Sequence, residues 1–77
     1  MAEVNLYAAA KAAAGSASLS IEAADLAALI TQLNSIGDLA KLLPTCSYLI
    51  NGIAPSDQSQ ALDKSDVVDV LPQFAGG

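Results

Sequence analysis

The run VVDVLPQF, residues 67–74, carries valine or leucine at four of its first five positions, with little alternation between apolar and polar side chains. Such near-continuous apolar runs are typical of strands that are covered on both sides. We therefore predict a strand here, and we expect it to lie centrally in a sheet, beside the strand that begins the chain.

Two further strands are indicated by period-two alternation near the start of the chain. Val4, Leu6 and Ala8 alternate with polar or aromatic neighbours, which predicts a first strand with one face turned inward. Apolar residues alternate with serine and glutamate over residues 18–23, which predicts a second strand. These two strands are suited to pair in an antiparallel manner.

Helices are predicted in two places. The stretch AAAKAAAG, residues 8–15, has high helix propensity but is short, so we expect one or two turns that end at Gly15. Asp25 is a suitable N-cap for a longer helix. Behind it, an apolar stripe recurs at helical spacing: Leu26, Leu29, Ile30 and Leu33, continued by Ile36. Gly37 suits the left-handed position after that helix, and Asp38 is expected to cap a second short turn.

After the helices the chain returns to strands. The segment CSYLI, residues 46–50, is strand-like, and Asn51-Gly52 is a strong signal for a type I′ hairpin, since both central positions of that turn need positive φ. A polar, turn-rich segment that includes a short strand or loop then leads to the final strand. This order of elements fits a two-layer α+β arrangement, in which a helix covers one face of a mixed sheet.

The composition excludes several classes of function. The chain has 77 residues, a net charge of -5 and no histidine. There is consequently no imidazole base and no Cys/His zinc cluster, and the acidic balance argues against nucleic-acid binding. No apolar run approaches the ~18 to 20 residues of a membrane span, so we expect no membrane partner and a cytoplasmic location. Four carboxylates could steer a basic partner, although such groups more often keep a protein soluble: Asp57, Asp63, Asp66 and Asp69.

The sequence ends in Gly76-Gly77, for which the residues alone leave two interpretations open. In the first interpretation the glycines are only a frayed end, because glycine loses the most conformational freedom on ordering. Alternatively, they make a terminal carboxylate thin enough to enter the active site of another protein, because residues without Cβ fit a narrow crevice.

Four motifs occur along the chain: YAAAK at 7–11, LING at 49–52, LDKSDVV at 62–68 and LPQFAGG at 71–77. Together they resemble the small subunit of molybdopterin synthase, in the sulfur-carrier branch of the ubiquitin-like β-grasp fold. The resemblance implies a β-grasp domain over residues 1–72, with one main helix across a mixed sheet of four to five strands, and a flexible tail over 73–77. Three residues depart from the family pattern, since Ser65 replaces a usual glycine, Lys64 a common aspartate and Gln73 a second proline.

The resemblance also implies a function in which Gly77 is the reactive residue. Its carboxylate would be adenylated by a partner similar to ubiquitin-activating enzymes, which uses ATP, and then converted to a thiocarboxylate by a sulfur donor protein. With Ala75 and Gly76 threaded into its active site, the large catalytic subunit of molybdopterin synthase would accept the sulfur onto a pyranopterin precursor. That subunit would supply the acid-base groups, so the chain would not be catalytic alone. The resemblance also implies that the chain binds no cofactor.

Docking on a partner needs a surface as well as a tail. In the implied fold Tyr7, Leu71 and Phe74 should lie near one another, and aromatic and aliphatic anchors usually dominate interfaces. Leu71 is also interpreted as a core residue, whereas Phe74 is expected to be exposed. Lys11 stands where the family often has a basic residue, and could pair with a carboxylate of the core rim or of the partner. Cys46 is interpreted as a small packed hydrophobe and not as a nucleophile.

Three other functions stay open from the sequence. The chain could carry sulfur for thiamine or cysteine synthesis, with the same terminus and another acceptor enzyme. It could modify proteins, in which case Gly77 would form an isopeptide bond with a target lysine. A binding module that only happens to end in glycines is the third alternative.

Overall fold

A computed structural model describes residues 1–73 of the chain. Within them lie four strands and three α-helices, with a 3₁₀ turn at Leu43–Thr45. In chain order the elements are β1 (Ala2–Leu6), α1 (Ala8–Ala14), β2 (Ser18–Ile21), α2 (Leu26–Leu33), α3 (Leu39–Leu42), β3 (Ser47–Ile50) and β4 (Val67–Leu71). No helix in this part of the chain has the length and apolar character that a membrane crossing requires.

The four strands form one mixed sheet in the order β2-β1-β4-β3. β1 pairs with β2, and β3 with β4, in an antiparallel manner, whereas the central strands β1 and β4 run parallel. The predicted antiparallel pairing of the first two strands is therefore confirmed, as is the central position of the last strand beside the first. A parallel pair needs a crossover connection, which the helical part of the chain provides.

The prediction that the last strand is covered on both sides is wrong. Val68 and Val70 are fully buried, whereas Val67, Asp69 and Leu71 alternate with them and are only half-buried. The buried residues of all three helices belong to the same core cluster as Val68 and Val70, so the helices lie on one face of the sheet. In a molecule with only two layers, even a central strand keeps one open face. The interpretation of Leu71 as a core residue is wrong for the same reason.

The core lies between the sheet and α2, whose apolar stripe is the one predicted from the sequence: Leu26, Leu29 and Leu33 are buried, with Ile30 and Ile36 at the edge. The carboxylate of Asp25 accepts a hydrogen bond from the N–H of Ala28 at 2.8 Å, which confirms the predicted N-cap. The carbonyl groups of Gln58 and Gln60 accept two further N–H groups of the first turn. The start of α2 is therefore tied to the segment before β4.

Two predicted boundaries differ from the observed ones. β1 ends at Leu6, and Ala8 is an exposed residue that begins α1 with a φ of +51°, where an inward-facing strand residue was expected. α1 ends at Gly15 in the left-handed conformation, as predicted. α2 ends at Leu33 with a right-handed residue after it, so the prediction that Gly37 caps this helix is wrong.

Gly37 has positive φ for another reason, which is its close approach to α1. Its φ is +50°, and a Cβ at this position would collide with the carbonyl oxygen of Ala13. The N–H of Asp38 donates to the same oxygen at 3.4 Å. Asp38 occupies the N-cap position of α3 without a capping side-chain hydrogen bond, so its predicted capping role is wrong. Its carboxylate instead lies 4.0 Å from Nζ of Lys41.

The Asn51-Gly52 hairpin has the predicted form. φ is +52° at Asn51 and +81° at Gly52, as a type I′ turn requires. Ile50 and Ile53 exchange both backbone hydrogen bonds across it, at 2.8 and 3.0 Å. The pairing stops at this one bridge, so the described residues contain four strands and no fifth.

A second turn, residues 63–66, joins the hairpin to β4. Asp66 accepts hydrogen bonds from the N–H of Asp63 at 2.8 Å and from the side chain of Asn51 at 2.9 Å. These two hydrogen bonds lower the pKa of the Asp66 carboxyl. Ser65 does not have positive φ, so serine fits this turn without the strain that a left-handed backbone would impose.

Candidate functional site

The side of the sheet away from the helices, which we term the open face, carries polar and aliphatic side chains: Glu3, Asn5, Ser18, Ser20, Ser47, Leu49, Val67, Asp69 and Leu71. Three of them, Leu49, Val67 and Leu71, are half-buried aliphatic residues that lie outside the core cluster. Aliphatic groups clustered on a surface and rimmed by polar residues are typical of an interaction site. The open face is therefore the candidate site for binding a partner.

Tyr7 and Leu71 lie side by side at one end of this face. Leu6 of β1 is opposite Val70 of the parallel strand β4, so the residues that follow them are neighbours. Tyr7 is 44% exposed, so much of its side chain is accessible to a partner. The predicted closeness of Tyr7 and Leu71 is thus observed, and their predicted role in partner binding stays a prediction.

The tail begins at the same end of the sheet. β4 ends at Leu71, Pro72 is buried, and Gln73 is exposed. The remaining predicted site residues lie outside the described residues, and what was predicted for them and for a flexible tail stays a prediction: Phe74, Ala75, Gly76 and Gly77.

Asp69 joins the two central strands on the open face. Its Oδ1 accepts a hydrogen bond from Asn5 Nδ2 at 3.2 Å and another from Tyr7 Oη at 3.3 Å. The negative charge of Asp69, together with burial and this hydrogen bond, raises the pKa of Tyr7. The hydroxyl of Tyr7 is therefore held on Asp69 of β4 as a hydrogen-bond donor.

Sequence reasoning did not single out Asp69, which it grouped with other surface carboxylates. The available signal was its position between Val68 and Val70, because a charged residue inside an apolar strand must face away from the core. The identity of its donors could not be read from the sequence, since Asn5 and Tyr7 reach it only through the pairing of β1 with β4.

Lys11 lies close to Tyr7 along the chain but makes no ion pair in the described residues. It is exposed on α1, and its N–H donates to the carbonyl of Tyr7 at 3.4 Å. The ion pair found within residues 1–73 joins Lys41 to Asp38. The proposed pairing of Lys11 with a carboxylate of the core rim is therefore not observed, whereas pairing with a partner stays a prediction.

Cys46 has the environment of a packed side chain. It is half-buried against the core, and its Sγ lies 3.2 Å from the carbonyl oxygen of Leu42 as a hydrogen-bond donor. Burial raises the pKa of the Cys46 thiol, and burial together with the nearby Cys46 raises the pKa of Tyr48 to about 12. Both groups are protonated at neutral pH, so neither is an activated nucleophile.

No protein-family model and no curated protein matches the chain, but several solved structures do. Small archaeal modifier protein 1 from Methanosarcina acetivorans has a TM-score of 0.84 at 22% identity, covering 99% of this chain and 95% of that one. The complex of subunits 1 and 2 of molybdopterin-converting factor from Helicobacter pylori contains a match with a TM-score of 0.78 at 25% identity, covering 99% and 97%. A putative subunit 1 of molybdopterin converting factor from Pyrococcus furiosus has a TM-score of 0.82 at 21% identity, covering 95% and 97%.

These similarities span both chains almost completely. They show that the chain has the ubiquitin-like β-grasp fold that small archaeal modifiers share with subunit 1 of the molybdopterin-converting factor. The predicted α+β fold class is confirmed, with four strands in the mixed sheet. The resemblance that the four sequence motifs indicated is confirmed by the structural neighbours.

Proposed function

We propose that the chain is a cytoplasmic sulfur carrier of molybdenum-cofactor biosynthesis, and that it carries sulfur on Gly77. The observation that supports this proposal is the full-length structural similarity to molybdopterin-converting factor subunits, combined with the Gly76-Gly77 sequence that follows β4. Glycines without Cβ can enter a narrow active-site crevice and leave the terminal carbonyl open to attack.

The proposed chemistry begins with activation of an unreactive carboxylate. An adenylyltransferase similar to ubiquitin-activating enzymes joins a carboxylate oxygen of Gly77 to the α-phosphorus of ATP, and pyrophosphate leaves. A sulfur donor protein then supplies sulfur at the oxidation level of sulfide, which attacks the acyl carbon and displaces AMP. The product is a thiocarboxylate on Gly77.

The sulfur is then transferred in a complex with the large catalytic subunit of molybdopterin synthase. The thiocarboxylate sulfur attacks a side-chain carbon of the pyranopterin precursor and displaces the oxygen substituent there, which leaves with a proton supplied by the large subunit. Water then hydrolyses the resulting thioester between this sulfur and the acyl carbon of Gly77. Sulfur stays on the pterin, the carboxylate is regenerated, and repetition of the cycle gives the dithiolene that holds molybdenum. In this proposal the large subunit supplies the acid-base groups, which is consistent with the absence of histidine from this chain.

In this proposal the open face binds the partner while the tail enters its active site. Tyr7 and Leu71 lie where β4 leads through Pro72 toward Phe74 and the glycines. The six residues from Pro72 to Gly77 span at most about 20 Å when fully extended. A partner that binds the open face at Tyr7 and Leu71 therefore has to hold its active site within that distance. The complex of molybdopterin-converting factor subunits 1 and 2 from H. pylori supports a large-subunit partner.

A second function, protein modification, is favoured by the similarity to small archaeal modifier protein 1. In that case the adenylated Gly77 is transferred to the amine of a target lysine, AMP leaves, and an isopeptide bond forms. The two functions share the fold and the activated terminus, and they differ in the acceptor. A carrier for thiamine or cysteine synthesis differs from the main proposal in the same way.

The experiment that tests the proposal is intact-mass measurement on the protein purified from its own host. We expect a mass gain equal to the replacement of one oxygen by sulfur, and this gain should react with a thiol-alkylating reagent. A variant that lacks Gly77 retains all described residues and is the matched control, in which the gain should be absent. An unmodified terminus in cells that are actively making molybdenum cofactor would contradict the proposal. Recovery of Gly77 linked to lysines of many proteins would establish the second function instead.

A further inference from the structure

We infer that the partner of the open face presents an arginine or lysine side chain against Asp69. The inference rests on the proposed function, because it requires that a protein covers this face. Asp69 lies on the central strand β4, with Asn5 opposite it on β1 and Leu49 opposite it on β3. The carboxylate therefore stands in the middle of the open face, among the side chains that a docked partner would shield from water.

The hydrogen bonds within the described residues leave one oxygen of this carboxylate, Oδ2, without a donor. Asn5 Nδ2 and Tyr7 Oη both donate to Oδ1, at 3.2 and 3.3 Å. No residue of the described range 1–73 donates to Oδ2. Both donors are neutral groups, so they orient the carboxylate without balancing its charge.

The described chain also supplies no cation to this position. None of its three lysines lies in a strand: Lys11 is on α1, Lys41 is on α3 beside Asp38, and Lys64 is in the turn before β4. In the free chain, water solvates the charge of Asp69. When a partner excludes this water, an ionised carboxylate without a counter-charge strongly disfavours binding. A partner that binds well therefore has to place a cationic N–H donor at Oδ2.

The test compares the affinities of variants for the large subunit of molybdopterin synthase from the protein's own host, measured by titration calorimetry. Asp69→Asn removes the charge and keeps an oxygen that can accept from Asn5 and Tyr7. We expect about 30-fold weaker binding, because the partner's cation is then buried without a counter-charge. Glu22→Gln makes the same change in net charge at an exposed position after β2, and its affinity should stay within about twofold of the unmodified chain.

A charge-reversal experiment identifies the cation directly. Asp69→Lys should lose measurable binding, because like charges then meet in the interface. Each arginine and lysine of the large subunit is next changed to glutamate, and its binding to the Asp69→Lys variant is measured. Recovery with one of these variants supports the inference, whereas failure of every one to recover binding contradicts it. Melting curves of the Asp69 variants show whether the fold is retained.

The outcomes separate this inference from the proposed function. If the unmodified chain binds the large subunit and a folded Asp69→Asn variant binds equally well, the inference is overturned and the proposed function stands. If the unmodified chain does not bind the large subunit, the proposed function is overturned and the inference with it.

Discussion

The hydroxyl of Tyr7 and the carboxylate of Asp69 are 62 residues apart in the sequence and 3.3 Å apart in the structure. The parallel pairing of β1 with β4 brings them together on the open face. The charge of Asp69 raises the pKa of Tyr7, because it disfavours ionisation of the phenol that donates this hydrogen bond. The open face thus combines half-buried aliphatic groups with a carboxylate that two side chains orient.

Leu71→Ala should weaken binding to the large subunit much more than it destabilises the fold. Leu71 is half-buried outside the core, so we expect a loss of about 1 kcal/mol in the free energy of unfolding. The affinity should fall about tenfold or more, as for an interface anchor. Val70→Ala is the matched control, since Val70 is fully buried next to Leu71 and faces the core. This substitution should cost about 2 kcal/mol of stability. Urea unfolding and calorimetry check both, and equal destabilisation by the two would contradict the assignment of their faces.

Gly37→Ala should destabilise the protein by about 3 kcal/mol or more, because it combines a left-handed φ with a collision. The new Cβ would meet the carbonyl oxygen of Ala13. Gly15→Ala is the control, since Gly15 has a φ of +76° and open space around its Cα. It should cost only about 1 kcal/mol. Urea unfolding measures both, and similar losses would show that the contact with Ala13 contributes nothing.

Asp25→Ala should remove about 1 kcal/mol of stability, because the N–H of Ala28 then loses its acceptor at the start of α2. Asp38→Ala provides a comparison at the N-cap position of α3, where no capping side-chain hydrogen bond exists. Its effect should stay below about 0.5 kcal/mol, since only an exposed contact with Lys41 is lost. Thermal and urea unfolding would contradict the capping assignment if the two variants lost equal stability.

Stability should decrease in acid, in part through Asp66. Its pKa is lowered in the folded chain, chiefly by the hydrogen bond from the N–H of Asp63 and then by the side chain of Asn51. A carboxyl with a lowered folded pKa stabilises the fold above its unfolded pKa, and this contribution is lost as the pH falls through the folded value. Asp66→Asn should therefore flatten the decrease in the free energy of unfolding below about pH 5.

Asp57 provides an independent comparison for the pH dependence of the free energy of unfolding. The pKa of Asp57 is lowered by hydrogen bonds from the hydroxyl and N–H of Ser59, in a different loop. Asp57→Asn should flatten another part of the same decrease, and the double variant should show the sum of both effects. A profile of Asp66→Asn identical to that of the unmodified chain would show that Asp66 has the same pKa in the folded and unfolded states.

Cys46→Ala should leave sulfur loading of Gly77 intact. The Cys46 thiol is half-buried, is hydrogen-bonded to Leu42 and has a raised pKa, so it contributes packing and no thiolate. The free energy of unfolding should fall by about 1 kcal/mol. Intact mass of the variant from its own host checks the loading. Loss of the sulfur mass gain in a folded Cys46→Ala protein would show that the cysteine takes part in transfer.

Features that depend on residues close together in the chain could be predicted from the sequence. The apolar stripe of α2, its Asp25 cap and the Asn51-Gly52 turn involve contacts a few positions apart, so helical spacing and turn preferences predict them. Alternation and apolar runs likewise predicted the strands and their order. The four motifs indicated the β-grasp fold, and the resemblance that they carry implied a reactive tail, which stays a prediction because residues 74–77 lie outside the described residues.

The free surfaces and the contacts between distant groups could not be predicted in this way, because they depend on how the elements pack. An apolar run such as residues 67–71 reports hydrophobicity and not the number of layers packed on a strand, so it could not show that β4 has an open face. Gly37 has the sequence signature of a helix cap, yet its backbone conformation is required by contact with Ala13. The contact between Tyr7 and Asp69 depends on the register of two strands from opposite ends of the chain. No short turn connects these two strands to fix their register, which is reached when both place their apolar side chains on the same core.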